Sequence, residues 1–421
     1  MQTDMNNNYT FTTKTKNITF GLMAIGLITI IIGFLTDHGP DGVNPEEYHH
    51  TRIWANLLVN GWFFMGIGLL ATFFMALQYA AEVAWSVAVK RVYEAVSSYL
   101  PIGGIIMILI LVAGQLHLHH LYHWMDSDVL VEKLADGSPN PAYDEVIANK
   151  HGFFGAGNWF FWLRTFLYVG VWCMFQRGFL KNSIEQDLQG GTKIHYKTMG
   201  KAAGFLVFFA VTSSTASWDW MMSLDVHWFS TMYGWYSFAG MWISAMITII
   251  LFVLYLKRKG YLTQVNDSHI HDLGKWVFAV SFLWSYLWFC QFMLIWYTDI
   301  PEEIIYFQDR LHNYGYMGLM WTVFFMNFVF PMVLLMSRDA KRNYYFLTLV
   351  GCIIFVGHWL DVYMMVMPGT VHGYHHLGLI EIGTALGFLG LMLFVVHKAL
   401  AKRPLMVEKH PYLDESLHHH Y

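Results

Sequence analysis

Eight side chains stand out for the chemistry their types and spacing allow. His358 and Asp361 lie three residues apart, on one face if the segment is helical, and Glu381 follows on the next apolar segment. A histidine beside carboxylates, with protonation shifted by burial, is what a proton relay needs, and Asp219 extends the set. Asn56 and Asn60, four apart, share a second face, and His117 and Arg164 fall on the two following segments. These four form a second polar group, close to Asp219 if sequential segments are neighbours. Two bland readings stand beside these. Arg164 and Asp219 also suit a structural ion pair, and the asparagines suit hydrogen bonds between helices.

The elements that must position these groups are apolar. Of 421 residues, 56% are hydrophobic and only 13% charged, about half the charge of a soluble domain. The apolar residues come in runs long enough to cross a bilayer, so each polar side chain within a run is costly unless paired or hydrated. Ten runs qualify, near 18–36, 53–80, 101–121, 158–178, 202–223, 228–256, 276–298, 311–337, 344–367 and 375–398. Each reads as a helix, because hydrocarbon offers no water to satisfy an open sheet edge and the runs lack the alternation of a barrel strand. The expected fold is therefore all-α and polytopic. A segment 1–17 precedes the membrane domain 18–398, and a tail 399–421 follows it.

Orientation follows from the basic residues. Twenty of the 25 Lys and Arg fall on the side of the N-terminus, while Arg52, Lys133, Lys150 and Arg310 fall on the other and Arg164 lies within a run. Positive residues are retained in the cytoplasm, which puts both termini there. The balance of 25 basic against 29 acidic residues, with no basic patch outside the loops, excludes a nucleic-acid binder. Cys173, Cys290 and Cys352 all lie within runs, leaving no C-x-x-C-H haem attachment and no iron–sulfur ligand set, so any such centre belongs to a partner.

Other features are weaker. Val83–Ser98 suits a helix lying at the cytoplasmic interface, and Gly383 with Gly387 makes a small-xxx-small pair for close helix packing. The motifs His117-Leu-His119-His120 and His372-Gly-Tyr-His375-His376 have spacings similar to membrane di-iron enzymes, but those keep their histidines on the cytoplasmic side. No metal site is expected here.

Three longer stretches carry a family resemblance. The first runs from Ser217-Trp218-Asp219-Trp220-Met221-Met222-Ser223-Leu224-Asp225 through Gly234. The others are His271-Asp272-Leu273-Gly274-Lys275 and Gln291 through Trp296-Tyr297, with Ile300-Pro301-Glu302-Glu303 following. Together they resemble the polysulfide-reductase/NrfD-like membrane proteins of alternative complex III, in particular the shorter of the two that the complex contains. The resemblance implies a quinol:cytochrome c oxidoreductase in the bacterial inner membrane and two four-helix bundles flanked by the first and last spans. It implies partners: a paralogous membrane subunit, an iron–sulfur subunit, c-type cytochrome subunits and a terminal oxidase. Haem c and iron–sulfur clusters would sit on those partners, with none bound covalently here. In that setting Asn56, Asn60, His117 and Arg164 become a candidate quinone (menaquinone) pocket, although the larger paralogue is the better candidate for it. His358, Asp361, Glu381 and Asp219 become the proton path. The alternative is a scaffold that only anchors the redox subunits.

Overall fold

The computed structural model describes residues 8–39, 48, 50–150, 159–374 and 377–420, and among these every regular element is a helix. The frame consists of α1 (Thr13–Thr36), α2 (Thr51–Ala80), α3 (Lys90–Ser97), α4 (Leu100–Gln115), α5 (Trp159–Gln189), α6 (Lys193–Trp220), α7 (Met232–Arg258), α8 (Asp267–Thr298), α9 (Met317–Phe324), α10 (Tyr344–Thr370) and α11 (Leu379–Leu400). Among the described residues nine helical segments are long and apolar enough to cross a bilayer. The remaining expected span, 158–178, forms as α5, but Arg164, Arg177 and its Trp and Tyr residues lower its apolarity and keep it out of that group.

Helix ends depart from the expected ones for local reasons. α4 stops at Gln115, short of the expected 121, because His117 turns left-handed (φ 56°) and the chain closes on itself: His117 N–H donates to Gly114 O (2.9 Å) and Leu118 N–H to Ala113 O (2.9 Å). The run expected at 311–337 forms as a shorter continuous span, Met317–Leu334, with an irregular turn inside it. α9 ends at Phe324 in a π turn, Phe325–Val329, and a short helix Phe330–Leu334 follows with Pro331 in its first turn. A π turn displaces the ladder by one residue, and such turns are frequent at functional sites.

α2 is buried along nearly its whole length, packed against α4, α6, α7, α10 and α11. α1 is the opposite case. It presents Leu27, Ile28 and Leu35 outward and docks on α11 alone in force, through a seam of small residues. A Cβ on Gly387 would come within 2.6 Å of the Gly26 Cα, so the two backbones touch as the small-xxx-small spacing predicts, with α1 as the partner.

The two chain ends meet at one end of the molecule. Asn8 bridges Pro404, Tyr9 Oη and His397 Nδ1 are 2.9 Å apart, and the tail continues across the start of α8, where His419 Nε2 reaches Asp272 Oδ2 at 2.7 Å. Ser416 of the tail also accepts from Ala88 N–H and donates to Trp85 O. The interfacial segment 83–98 is thus helical but covered on both faces, leaving Lys90 and Arg91 buried rather than facing a membrane surface.

Candidate functional site

The intramembrane polar residues gather in three groups, and the structure sorts them differently from their order in sequence. The first group joins α2 to α11. Glu381 is fully buried and accepts two parallel bonds from Arg52, Nε to Oε1 at 2.7 Å and Nη2 to Oε2 at 3.0 Å. Asn56 Nδ2 adds a bond to Oε1 (3.1 Å), and Gly378 N–H donates to Oε2 (2.9 Å). One turn deeper, Asn60 Nδ2 donates to Asn56 O (2.8 Å) and Thr384 Oγ1 (3.3 Å), and its carbonyl accepts from Trp359 Nε1 (3.0 Å). The asparagines therefore belong with Glu381 rather than with Asp219. Arg52, which sequence reasoning treated as a loop charge, is its main partner. Its position one helical turn before Asn56 was the signal available.

The second group joins α5 to α6. Arg164 grips Asp219 at two points, Nε to Oδ2 at 2.9 Å and Nη2 to Oδ1 at 3.0 Å, while Tyr168 Oη donates to Oδ2 at 3.2 Å. The guanidinium also lies over the Phe160 ring, 4.5 Å from its centre. A bidentate pair with a third donor neutralises both charges, which is how the arginine is tolerated among apolar residues. The hydroxyls below it bond back to their own helix: Thr212 donates to Phe208 O and Ser217 to Ser214 O.

The third group lies between α7, α8, α9 and α10. Asp361 is buried, accepting from Tyr236 Oη and from Trp284 Nε1 (2.9 Å), with His358 Nδ1 3.8 Å from its Oδ2. His358 is itself buried, the Trp284 ring stands edge-on to it, and neither of its ring nitrogens has a hydrogen-bond partner among the described residues. Asn327, in the π turn after α9, packs against Gly357, and both atoms of its amide are likewise unpartnered. Buried polar groups without protein partners call for another one, and ordered water is the usual answer. A small cleft runs from Asp361 past Gln291 to Arg310. Its free volume, ≈ 30 Å³, has room for about two waters.

Arg310 closes that cleft. It is buried, lies 3.3 Å over the centre of the Tyr306 ring, donates to Tyr306 O (2.9 Å) and reaches Asp225 Oδ2 at 3.1 Å. Burial alone would favour the neutral guanidinium, but Tyr306 and Asp225 outweigh it, and its pKa is raised. Tyr306 in turn stacks on Trp228 at 3.8 Å. Trp220 is buried as well, against Trp62 and Trp172. Tyr236 and Trp284 gave no signal beyond being members of abundant residue types, and Arg310 and Asp225 none that joined them to Asp361.

His117 stands apart from all three groups. It is half exposed, and its Nδ1 lies 3.2 Å from Asp126 Oδ1, which also takes His120 Nδ1 at 2.8 Å. The donor atoms of these three residues lie within 4.8 Å of one another, and the shared hydrogen bonds to Asp126 account for their convergence. His375 and His376 of the other histidine motif lie outside the described residues. The four residues expected to frame a quinone pocket thus serve different partners: Asn56 bonds Glu381, Asn60 bonds Thr384 and Trp359, Arg164 bonds Asp219 and His117 bonds Asp126.

Fold and site together define a multi-pass, all-helical membrane protein whose core holds two bidentate ion pairs and a histidine–aspartate cluster. No protein-family model matches the chain, and no curated protein matches it.

Proposed function

We propose that this chain is the integral membrane subunit of a respiratory quinol:cytochrome c oxidoreductase of the alternative complex III type. It carries no redox centre of its own and moves protons through the His358–Asp361 cluster. Motif resemblance in the α6–α7 and α8 regions supports the family reading. Ten crossings, with α5 as the tenth, are supported by the meeting of both chain ends at one end of the molecule, since an even number of spans returns the chain to its starting side. The same end collects Lys90, Arg91, Arg403 and Lys409, as expected for the cytoplasmic side of a bacterial inner membrane. In this reading α2 with α4–α6, and α7–α10, make two bundles flanked by α1 and α11.

The observation that carries the proton role is the pairing of buried His358, whose ring nitrogens have no hydrogen-bond partner among the described residues, with buried Asp361, beside a cleft that reaches Arg310, the partner of Asp225. Such a cluster can pass a proton along without large movement, and Arg310 and Asp225 stand where it would leave toward the non-cytoplasmic face. Quinol oxidation releases protons, and this route would deliver them outside. Asp361→Asn and Tyr236→Phe in the assembled complex should each lower proton release or quinol turnover by about a hundredfold, the low end of what removing one proton-transfer group costs, with haem content unchanged. Unchanged turnover and proton stoichiometry in both would end the relay reading.

The Arg52–Glu381 and Arg164–Asp219 pairs favour a second reading, a scaffold that anchors partner subunits. Both pairs are fully bonded, which suits fixing helix register better than carrying protons. Under that reading the quinone pocket lies on the paralogous subunit, and a photoreactive quinone would label only that paralogue.

A further inference from the structure

We propose that the cleft between α3, the end of α5 and the last turns of α11 binds a phosphate group, namely the phosphodiester of an anionic phospholipid. This rests on the membrane placement of α4 and α11, not on the respiratory reading.

The cleft has a free volume of ≈ 330 Å³, and four cations line it: Arg91, Lys398, Lys402 and Arg403, against the single carboxylate of Glu94. That carboxylate is already committed. Glu94 takes Arg91 Nη1 at 2.6 Å and has Lys90 Nζ at 3.9 Å, and Asp187 takes the other arm of Arg91. Arg403 Nη1 stays 3.9 Å from Glu94, beyond hydrogen-bond reach. Among the described residues neither Lys398 nor Lys402 has an ion-pair partner; Lys398 Nζ only overhangs the Phe394 ring, 5.7 Å from its centre. The Nε of Arg91, a side chain 4% exposed, is buried with no acceptor among the described residues. Positive charge in this cleft therefore exceeds what the protein itself neutralises.

The position and the opposite wall say which anion fits. Lys398 lies in the last turn of α11, and Ile102 in the first turn of α4, so the cations sit where two membrane helices end, the depth of lipid headgroups. Ile102, Leu180 and Phe394 form an apolar wall beside them. A free phosphate needs the cations alone. A diacyl phospholipid uses both, its phosphodiester against the lysines and arginines and its first methylenes along the wall. Basic pockets between membrane helices bind anionic headgroups for this reason.

The test uses the full chain, delipidated in neutral detergent, with bound lipid counted by native mass spectrometry. Phosphatidylglycerol, phosphatidylcholine and inorganic phosphate are the three probes. The wild type should bind phosphatidylglycerol about tenfold more tightly than phosphatidylcholine, and Lys402→Gln with Arg403→Gln should remove that preference. Lys14→Gln with Lys259→Gln deletes the same charge at the other cleft near the chain ends, beside Tyr9 and Tyr261, and should leave it intact. Equal binding of the two lipids would overturn the proposal, as would a preference lost equally in both double variants. Inorganic phosphate displacing the lipid at matched concentration would assign the cleft to free phosphate and overturn the lipid as occupant. Thermal unfolding of each variant confirms that it is folded when the lipid is counted.

Discussion

Arg52 and Glu381 are 329 residues apart in sequence and joined by two parallel hydrogen bonds, of 2.7 and 3.0 Å. The pair ties the first turn of α2 to the first turn of α11, and Asn56 and the Gly378 amide complete the shell of the carboxylate. A carboxylate with four donors has little reason to take up a proton. That shell suits a clamp, and the proposed proton path is drawn through His358 and Asp361 without Glu381.

Separating clamp from relay gives the first prediction. Glu381→Gln leaves Arg52 buried without its counter-charge and should destabilise the protein by about 3 kcal/mol, the usual result of breaking one side of a buried pair. Replacing both partners with apolar residues, Arg52→Met with Glu381→Leu, should recover most of that loss. Thermal unfolding in detergent measures both. If the double variant is as unstable as the single, the pair does more than satisfy its own charges.

Much of the frame was legible from sequence because a membrane helix must be a long apolar run, but the runs miss polar ends: α5 continues to Gln189 past the expected 178, and α6 and α8 begin at Lys193 and Asp267, before the expected 202 and 276. What composition could not show is which helices are neighbours. The sequence order suggested Asn56 beside Asp219; the fold places it beside Glu381, because α2 is central and touches α11 as well as its successors in the chain. Arg164–Asp219 was legible, since two opposite charges at one depth on adjacent spans have strong cause to meet. Tyr236 and Trp284 were not, because a hydrogen bond to Asp361 leaves no pattern among 24 tyrosines and 18 tryptophans. The π turn after α9 was equally hidden, since it alters bonding without altering hydropathy.

The α1–α11 seam gives a second prediction. A methyl group at Gly26 would strike the backbone of Gly387, and backbone cannot step aside as a flexible side chain can, so Gly26→Ala should force the helices apart. The expected loss is about 1–3 kcal/mol, the range for overpacking. Gly21→Ala, five residues earlier on the same helix with nothing near its Cβ position, should be neutral or stabilise by up to about 1 kcal/mol through helix propensity. Equal effects at the two positions, read as unfolding temperatures of the purified protein, would mean that α1 is not held by this close approach.

A third prediction concerns pH and His119, in the turn just beyond α4. Burial pulls its pKa down from 6.5 to about 4, against the opposing pull of the hydrogen bond to Ile110 O and the smaller one of Asp126, with a push downward from His120. The neutral ring suits its bonds: Nε2–H donates to Ile110 O (3.0 Å), Nδ1 accepts from Leu121 N–H (3.3 Å), and the Trp54 ring covers it. The direction follows from which state takes up the proton. Below about pH 6.5 the unfolded chain protonates this histidine and the folded chain does not until about pH 4, so stability falls across that window and levels off beneath it. The full contribution is about 3 kcal/mol, from roughly 2.5 units at 1.36 kcal/mol each. His119→Gln keeps a donor for Ile110 and cannot titrate, so its stability should fall less steeply between pH 6.5 and 4.5, by up to one proton. His410, whose pKa burial lowers to about 2, supplies a further part of the slope in both proteins. Unfolding temperatures that decline in parallel for wild type and His119→Gln would show that His119 is not held neutral in the folded protein.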